Sequence, residues 1–525
     1  MNSHGSARFA TAEELKPLHR SGGVFVGFDE KGQALRVDSD APMMTIGGAR
    51  TGKGAACLMR AIIDTHESMV IHCPKGENAA VTLNSHHKKG IKAYYLNPFN
   101  ALNGLLPQHT LNPFDCLVTA SPTLAEDAFF FASNIVTNGQ HSFFQEQAQE
   151  VTYAILRTEV FYKGFVTVED VAARLECLKS DPPRWEEYAE AMACVPCSIT
   201  RAIGKRLAYN RKHAQGEFSG TVGTLSNAFS FLLSPSIMRM FGGNSPDFSF
   251  SQVCQGANPT KVFITLKSEY LGQYGAVLRL LYSSLMLHKA KAPPNARRVT
   301  MLMDEAAQLG KFPALVQTIT LKSGEGLKCW HIWQDMGQIE ALYGKEILKT
   351  FFESSQVLQV LRPRHHETAQ YFSNALGKTT KEYISEHHHT NREDLKFNLM
   401  DAYKSGHDLA TISRAKNRMQ NTTTERAKRE GLLMSSNEIN SMPPDEMLLW
   451  VNELVRYPII AKKINYYDDP KLSGDYLPNP WHSSPDKIDL PDYRFKRAII
   501  TTAPPFKFRD FPQFQKGYKF VKGYK

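Results

Sequence analysis

Short apolar runs alternate along the chain with segments of helical periodicity. Seven of these runs have the length of buried strands and are apolar at consecutive positions. Runs that are apolar on both faces are typical of parallel strands covered by helices on each side of a sheet. The pattern therefore predicts an α/β fold with a mainly parallel sheet. The predicted strands are Met43–Ile46, Met69–Ile71, Ala93–Leu96, Val262–Leu266, Val299–Met303, Trp330–Trp333 and Val357–Leu361.

Residues 117–243 lack strand patterns almost entirely. Thr167 followed by Asp170 predicts a helix cap, and apolar positions elsewhere in the stretch recur at helical spacing. We therefore predict an all-α domain over 117–243, inserted into an α/β domain made of residues 1–116 and 244–492. The positions at helical spacing are Phe144, Ala148, Val151 and Ile155.

The second part of the predicted α/β domain contains a polar excursion over residues 379–430. Globular patterning resumes near Leu432, and Tyr457–Ile460 with Ile464–Tyr467 predict a further strand. Residues 493–525 differ again in composition, so we treat them as a separate tail.

Composition narrows the class of protein. Of the 525 residues, 42% are apolar and 22% are charged, as in ordinary folded proteins. Eight cysteines are too few for a disulfide scaffold and indicate reduced thiols. No window reaches the ~18 apolar residues of a membrane helix, and no secretory signal is visible. The sequence therefore predicts a soluble cytoplasmic chain, whose membrane association would come through a partner or a missing segment.

A glycine-rich loop follows the first predicted strand and precedes a predicted helix. Gly47, four residues and then Gly52-Lys53 have the spacing of a phosphate-binding Walker A loop. The glycines and the helix N-terminus favour phosphate binding, and Lys53 supplies a cation for the β- and γ-phosphates. Taken alone, the loop is also compatible with an ordinary glycine-rich turn. The predicted nucleotide-binding residues are Gly47, Gly48, Ala49, Arg50, Thr51, Gly52, Lys53, Gly54 and Ala55.

Two further strand ends carry polar side chains suited to nucleotide hydrolysis. Asp304 and Glu305 directly follow the predicted strand Val299–Met303, which is the Walker B arrangement. In this arrangement Asp304 would hold Mg²⁺ directly or through water, and Glu305 would act as general base. Alone, the acidic pair is also compatible with a helix N-cap. Gln334 ends the next strand and is suited to sensing the γ-phosphate or positioning water, although a structural role stays open. Together, the two loops favour a nucleotide hydrolase.

Several short segments match the motifs of one known family. They resemble the coupling-protein ATPases of type IV secretion and conjugation, of the TraG/TraD kind, over nearly the whole chain. The Gly-Lys-Gly ending of the loop, with Gly54 after Lys53, also resembles the corresponding loop in many of these proteins. The matching segments are Pro74–Asn78, Leu96–Phe99, Asn112–Phe114, Asp304–Gly310, Pro313–Leu315, Gln334–Gln338 and Lys462–Tyr467.

The resemblance implies a RecA-like P-loop domain with an inserted all-α domain. It also implies a homo-hexameric ring at the cytoplasmic face of the inner membrane, binding ATP and Mg²⁺ and hydrolysing ATP between subunits. Such a ring delivers a relaxase–DNA complex, or effector proteins, to the type IV secretion channel. By this resemblance Lys53 is the phosphate lysine, Asp304 and Glu305 are the Walker B pair, and Gln334 is the glutamine-motif residue.

The chain departs from the family pattern at four points. Gly54 stands where Ser or Thr would offer Mg²⁺ a hydroxyl, and Cys73 replaces a usual Asp. Ser323 occupies the position of an interface arginine in some relatives, so that arginine is unassigned. The membrane helices that precede this region in relatives are missing, either trimmed or naturally absent. Gly54 and Ser323 leave open a nucleotide-regulated substrate receptor with weak or no turnover. A cytosolic DNA motor, the third hypothesis, fits the loops but not the resemblance across the final third of the chain.

Basic residues cluster in the predicted helical domain and in the tail. The tail, 493–525, has nine basic residues, one acid and nine aromatics, so it carries +8 of the chain's net +10. Aromatic faces can stack on unpaired bases while Lys and Arg meet phosphates. For the tail, the alternatives are that it docks in an acidic groove of a partner, binds anionic lipid or folds over the core. For the basic cluster in the helical domain, the alternative is a solvated helix face. The candidate DNA or partner contacts are Arg201, Lys205, Arg206, Arg494, Lys496, Arg497, Lys507 and Arg509.

Overall fold

A single mixed sheet forms the centre of the computed structural model. The structure describes residues 6–137, 142–267, 271–321, 324–384, 426–472, 475–477 and 479–481, with short stretches in 396–413 and 487–522. Among these residues, eleven strands belong to the sheet. They are β1 (Val24–Phe28), β2 (Ala34–Val37), β3 (Met43–Gly47), β4 (Ser68–His72), β5 (Lys92–Leu96), β6 (Thr260–Ile264), β7 (Val299–Met303), β8 (Leu327–Trp333), β9 (Val357–Leu361), β12 (Glu446–Val451) and β13 (Ile459–Lys462).

The sheet joins a parallel part to an antiparallel part. The strand order is β2-β1-β13-β12-β9-β3-β8-β7-β4-β6-β5. From β9 to β5 all pairs are parallel, whereas β2, β1, β13 and β12 pair antiparallel on the β9 side. The seven predicted strands are therefore confirmed as one continuous parallel sheet. Residues that alternate along these strands fall into two apolar clusters, because helices or loops cover both faces.

The strand prediction was wrong in one place and incomplete in others. Ile464–Tyr467 leaves the sheet after β13, since the Tyr466 N–H donates to the Ala55 carbonyl at 3.0 Å instead of to a neighbouring strand. The polar excursion 379–430 is flanked by a strand pair that was not predicted. The remaining strands form three antiparallel pairs: β10 (Lys378–Ile384) with β11 (Arg426–Leu432), β14 (Lys487–Asp489) with β15 (Phe495–Arg497), and β16 (Ile499–Thr501) with β17 (Phe520–Lys522).

Helices connect the strands and cover the sheet. A π-helical segment, Lys53–Leu58, leads from the glycine-rich loop into the first α-helix. Outside residues 117–243, the α-helices in the continuously described ranges are α1 (Met59–Asp64), α2 (Glu77–Lys88), α10 (Phe250–Gln255), α11 (Leu271–Ala290), α12 (Pro313–Leu321), α13 (Met336–Tyr343), α14 (Lys345–Ser354), α15 (His366–Leu376) and α16 (Ser436–Asn440).

Within the described part of residues 117–243 the regular elements are all helical. Thr167 and Asp170 form the predicted cap, each side chain bonding the other residue's backbone N–H. The segment leaves and rejoins the sheet at one place, where Leu111 bridges Phe248 and the Thr110 hydroxyl donates to Asp247 at 2.9 Å. The helices are α3 (Leu124–Ile135), α4 (Ser142–Lys163), α5 (Val168–Ser180), α6 (Pro182–Cys194), α7 (Ser198–His213), α8 (Gln215–Ala228) and α9 (Pro235–Met240).

A buried arginine fastens this helical segment to the loop after β7. The Arg279 guanidinium donates to the carbonyls of Asn134 and Ile135, at the end of α3, at 2.8 and 3.0 Å. It also donates to the Leu309 carbonyl at 2.6 Å. Burial lowers its pKa to about 10, so the group stays charged at neutral pH. One side chain thus satisfies three buried acceptors belonging to two separate parts of the chain.

We expect Arg279→Met to lower the free energy of unfolding by about 3 kcal/mol, because each buried carbonyl loses its donor. Chemical denaturation followed by circular dichroism measures the change. Arg239→Met is the matched control, since Arg239 is exposed on α9 and a surface change of this kind costs less than about 0.5 kcal/mol. Equal effects of the two substitutions would contradict the proposed fastening role.

Candidate active site

Three neighbouring strands end at the same edge of the sheet. β8 lies between β3 and β7, with Trp333 paired to Ile46 and His331 paired to Met303. Parallel strands place all their carboxyl ends on one side, so the residues that follow them become neighbours. The structure thereby brings together the glycine-rich loop, Gln334 and the pair Asp304–Glu305.

The glycine-rich loop has a defined backbone shape. A Cβ on Gly47 would lie 2.9 Å from the Thr51 hydroxyl and 3.0 Å from the Leu361 Cβ, so only glycine fits there. The Thr51 hydroxyl donates to the Gly48 carbonyl at 2.9 Å and closes the turn. Arg50 and Gly52 adopt left-handed φ angles of 60° and 90°. These angles reverse the chain just before the helical segment Lys53–Leu58.

Lys53 stands at the start of that helical segment, facing the acidic pair. Burial lowers the pKa of its ammonium group, and the negative charges of Asp304 and Glu305 partly oppose that shift. The next residue, Gly54, has no atom within 4 Å of the position a Cβ would take. A side chain at position 54 would therefore meet open space beside Lys53.

Asp304 is the most perturbed carboxyl group at this edge. Its pKa is raised to about 7, chiefly by burial and then by the charge of the neighbouring Glu305, while the charge of Lys53 lowers it. A divalent cation bound beside this pair of carboxyl groups would favour their charged forms. Carboxylate oxygens are also the ligands that Mg²⁺ prefers, so Asp304 fits the predicted metal role.

Glu305 has an unusual backbone and a specific partner. Its φ of 61° is left-handed, a conformation that residues other than glycine rarely adopt. The Gln308 side-chain amide donates to the Glu305 carboxylate, and the Gln308 backbone N–H donates to the Glu305 carbonyl at 3.0 Å. The Glu305 side chain accepts no hydrogen bond from the backbone of the short turn Ala306–Leu309 that follows it. The geometry thus argues against the helix-cap alternative.

Gln334 is held by its own strand end. Its backbone N–H donates to the Gln338 side-chain oxygen at 2.9 Å, and the Gln338 N–H donates to the Asp335 carboxylate at 3.0 Å. Asp335 in turn caps α13. These contacts fix the backbone, while the Gln334 side chain lies partly exposed at the edge.

Three residues near the acidic pair were not predicted as site residues. His72 is buried in β4, and its Nδ1 donates to the Asp304 carbonyl at 2.8 Å; burial lowers its pKa to about 4, so it is neutral. Cys73 accepts a hydrogen bond from the Asn78 N–H at 3.2 Å, and burial raises its thiol pKa to about 12. Gln308 lies in the segment Asp304–Gly310 and Cys73 is a departure from the family pattern, so both had a signal in the sequence, whereas His72 had none.

The candidate DNA or partner contacts lie away from this edge or outside the described residues. Arg201 and Lys205 are exposed on α7, whereas Arg206 forms an ion pair with Glu150 of α4. Arg509 is exposed and its guanidinium lies 5.9 Å from the Phe506 ring. The backbones of Lys496 and Arg497 belong to β15, but their side chains are not described. The candidates Arg494 and Lys507 lie outside the described residues, as does Ser323, the position of the interface arginine in some relatives.

Across the described residues, the helices are all too short or too polar to cross a lipid bilayer.

Comparison with known proteins places the chain in a family. The model of the type IV secretory system conjugative DNA transfer family matches residues 14–487. A conjugal transfer protein TraG of Escherichia coli is 23% identical over 427 residues, 73% of this chain and 66% of its own length. A TraG of Agrobacterium fabrum is 23% identical over 322 residues, which cover 60% of this chain and 47% of that relative. The chain thus spans about two thirds or less of the curated relatives that it matches.

Solved structures agree in fold. Unbound TrwBdeltaN70, a bacterial conjugative coupling protein, superposes with a TM-score of 0.60 at 15% identity, covering 88% of this chain and 93% of that one. TrwB in complex with the ATP analogue ADPNP also gives 0.60 at 15% identity, covering 89% and 94%. The sheet therefore has the RecA-like P-loop architecture. With nine tenths of its length matched by the family model, the chain belongs to the type IV secretory system conjugative DNA transfer family.

Proposed function

We propose that the protein is a type IV secretion coupling protein that hydrolyses ATP to drive transfer of DNA, as a relaxase–DNA complex, or of proteins during conjugation. The observation that carries the proposal is the meeting of Lys53, the pair Asp304–Glu305 and Gln334 at one sheet edge. Family membership supports it, as does TrwB, which has been solved in complex with ADP and Mg²⁺.

Each side chain has a role that follows from its charge and position. Lys53 binds the β- and γ-phosphates, and Asp304 would hold Mg²⁺, which would supply positive charge to offset that of the phosphates. Glu305 accepts a proton from the attacking water, with its carboxylate oriented by Gln308. Gln334 contacts the γ-phosphate region. The carboxylate chemistry of the adjacent residues Asp304 and Glu305 is what favours a bound divalent cation.

The proposed assembly is a homo-hexamer at the cytoplasmic face of the inner membrane, contacting DNA, relaxase or effector proteins and secretion channel components. The exposed side chains of Arg201 and Lys205 on α7 are available to an anionic partner. Phosphate contacts of this kind bind DNA with little sequence preference.

A second candidate is a nucleotide-regulated substrate receptor with weak or no turnover. Gly54 favours it, because the loop offers Mg²⁺ no hydroxyl ligand at that position. ATP binding would then control assembly more than it drives transport.

Lys53→Ala should lower the ATPase rate by roughly 100-fold or more, with or without single-stranded DNA, because the phosphates lose their cation. Phosphate release by the native chain and the variant measures this. DNA-stimulated turnover that disappears in the variant supports the motor. Negligible turnover in both proteins, with nucleotide still bound by the native chain, would contradict the hypothesis of an ATP-driven motor and favour the receptor hypothesis.

Gly54→Ser should tighten Mg²⁺-dependent ATP binding by roughly tenfold or more, the size of one added polar contact to a charged group. The space beside Gly54 accepts the side chain without a clash. Gly54→Ala is the matched control, since it gives at least the same gain in helix propensity without a hydroxyl. The metal role of position 54 is refuted if both variants bind Mg²⁺-ATP equally well.

Gln308→Leu should reduce kcat by roughly tenfold or more and leave the Kd for ATP unchanged, because Glu305 loses the donor that orients it. Gln317→Leu, on the exposed face of α12, is the control and should change neither constant. Steady-state kinetics and equilibrium nucleotide binding together measure the effect. A weaker Kd with an unchanged kcat would show that Gln308 supports binding rather than catalysis.

A further inference from the structure

The segment after β13 lies across the helices that carry the phosphate-binding loop. We call residues 463–481 the strap; the structure describes all of them except 473, 474 and 478. At its start, the Lys463 Cε lies 3.7 Å from the position a Cβ on Gly52 would take. The Tyr466 N–H then donates to the carbonyl of Ala55, two residues after Lys53. The strap therefore contacts the loop on the first turn of the helix.

Further contacts hold the strap against helices α1 and α2. The Tyr466 ring is buried against Met59 and Ile63 of α1 and Val81 of α2. Further along, the Leu477 N–H donates to the Val81 carbonyl at 2.9 Å.

At its far end the strap reaches the loop after β4. The Trp481 indole N–H donates to the Lys75 carbonyl at 3.1 Å, and the Asn479 amide donates to the Glu77 carboxylate. A segment held at its start, middle and end presents its remaining side chains at fixed positions.

Trp481 is exposed at the far end of the strap, whereas the exposed aromatic side chain nearest in sequence to the Tyr466–Ala55 bond is that of Tyr467. Its ring meets the Tyr466 ring edge-on, with centroids 5.1 Å apart, and stays 45% exposed. The turn that carries it is closed by two bonds between Asn465 and Asp468, at 3.0 Å between backbones and 2.9 Å between side chains. A partly exposed ring on a turn closed in this way has a face available for stacking on a ligand.

A nucleotide whose phosphates lie on the glycine-rich loop extends its nucleoside past the first turn of the helix. Ala55 is on that turn and accepts a hydrogen bond from Tyr466, the residue before Tyr467. We propose that Tyr467 supplies the stacking face for the nucleobase, so that the strap makes the site select a nucleoside triphosphate over bare polyphosphate. This inference rests on the proposed nucleotide-binding function. Stacking uses the π-face that every base has, so adenine and guanine nucleotides should bind with similar affinity.

The test compares two Mg²⁺-bound probes by calorimetry on the full chain: the β,γ-imido analogue of ATP, and inorganic tripolyphosphate, which has no base. Tyr467→Ala should weaken binding of the analogue by about tenfold and leave tripolyphosphate unchanged. Tyr467→Phe keeps the ring and should bind like the native chain. Tyr209→Ala, which removes a 62% exposed tyrosine on α7, is the matched control and should change neither affinity.

Two results would overturn the inference. Unchanged analogue binding by Tyr467→Ala means that the ring does not contact the base. An equal loss for both probes means that the substitution deforms the loop through the strap, and thermal unfolding of the variant checks that cause. Failure of the proposed function looks different, since the native chain would then bind neither probe. Lys53→Ala should lose both probes, which shows that the assay reports on the loop.

Discussion

The parallel pairing of β3, β8 and β7 is the constraint on which the rest of the site depends. Each strand ends at the same edge, so the glycine-rich loop meets two carboxylates and a glutamine that lie more than two hundred residues further along the chain. A one-residue shift in register would turn every side chain of a strand to the opposite face. Strands apolar on both faces, covered by two separate clusters, hold this register.

The buried groups around Asp304 determine the electrostatic environment of this edge. The groups behind Asp304 are neutral, because burial keeps the His72 imidazole deprotonated and the Cys73 thiol protonated. Burial and then the Glu305 charge raise the Asp304 pKa, and the charge of Lys53 opposes only part of that shift. An Asp in place of Cys73 would add a further negative charge here. The neutral thiol still caps the start of α2, which keeps the local fold without that charge.

Two peripheral parts of the chain hold the loops of the site. The helical segment within 117–243 reaches the loop after β7 through Arg279, and the Tyr343 hydroxyl holds the same loop through Gly310 and Phe312. The strap reaches the glycine-rich loop through Tyr466. Hydrogen bonds at Leu309 and at Ala55 join these parts to the loop that carries Glu305 and to the helical turn that carries Lys53, which gives each part a physical route to the site.

The sequence by itself determined the parallel strands, the phosphate loop, the acidic pair and Gln334, because each depends on patterns a few residues long. It missed β1, β2 and β12 and mistook Ile464–Tyr467 for a strand, since apolar runs of that length do not reveal their partners. β1 pairs with β13 more than 400 residues away, and Gln308, His72 and the strap meet the site only after the chain has folded. Tertiary packing alone decided these contacts, because their energies come from neighbours that are distant in sequence.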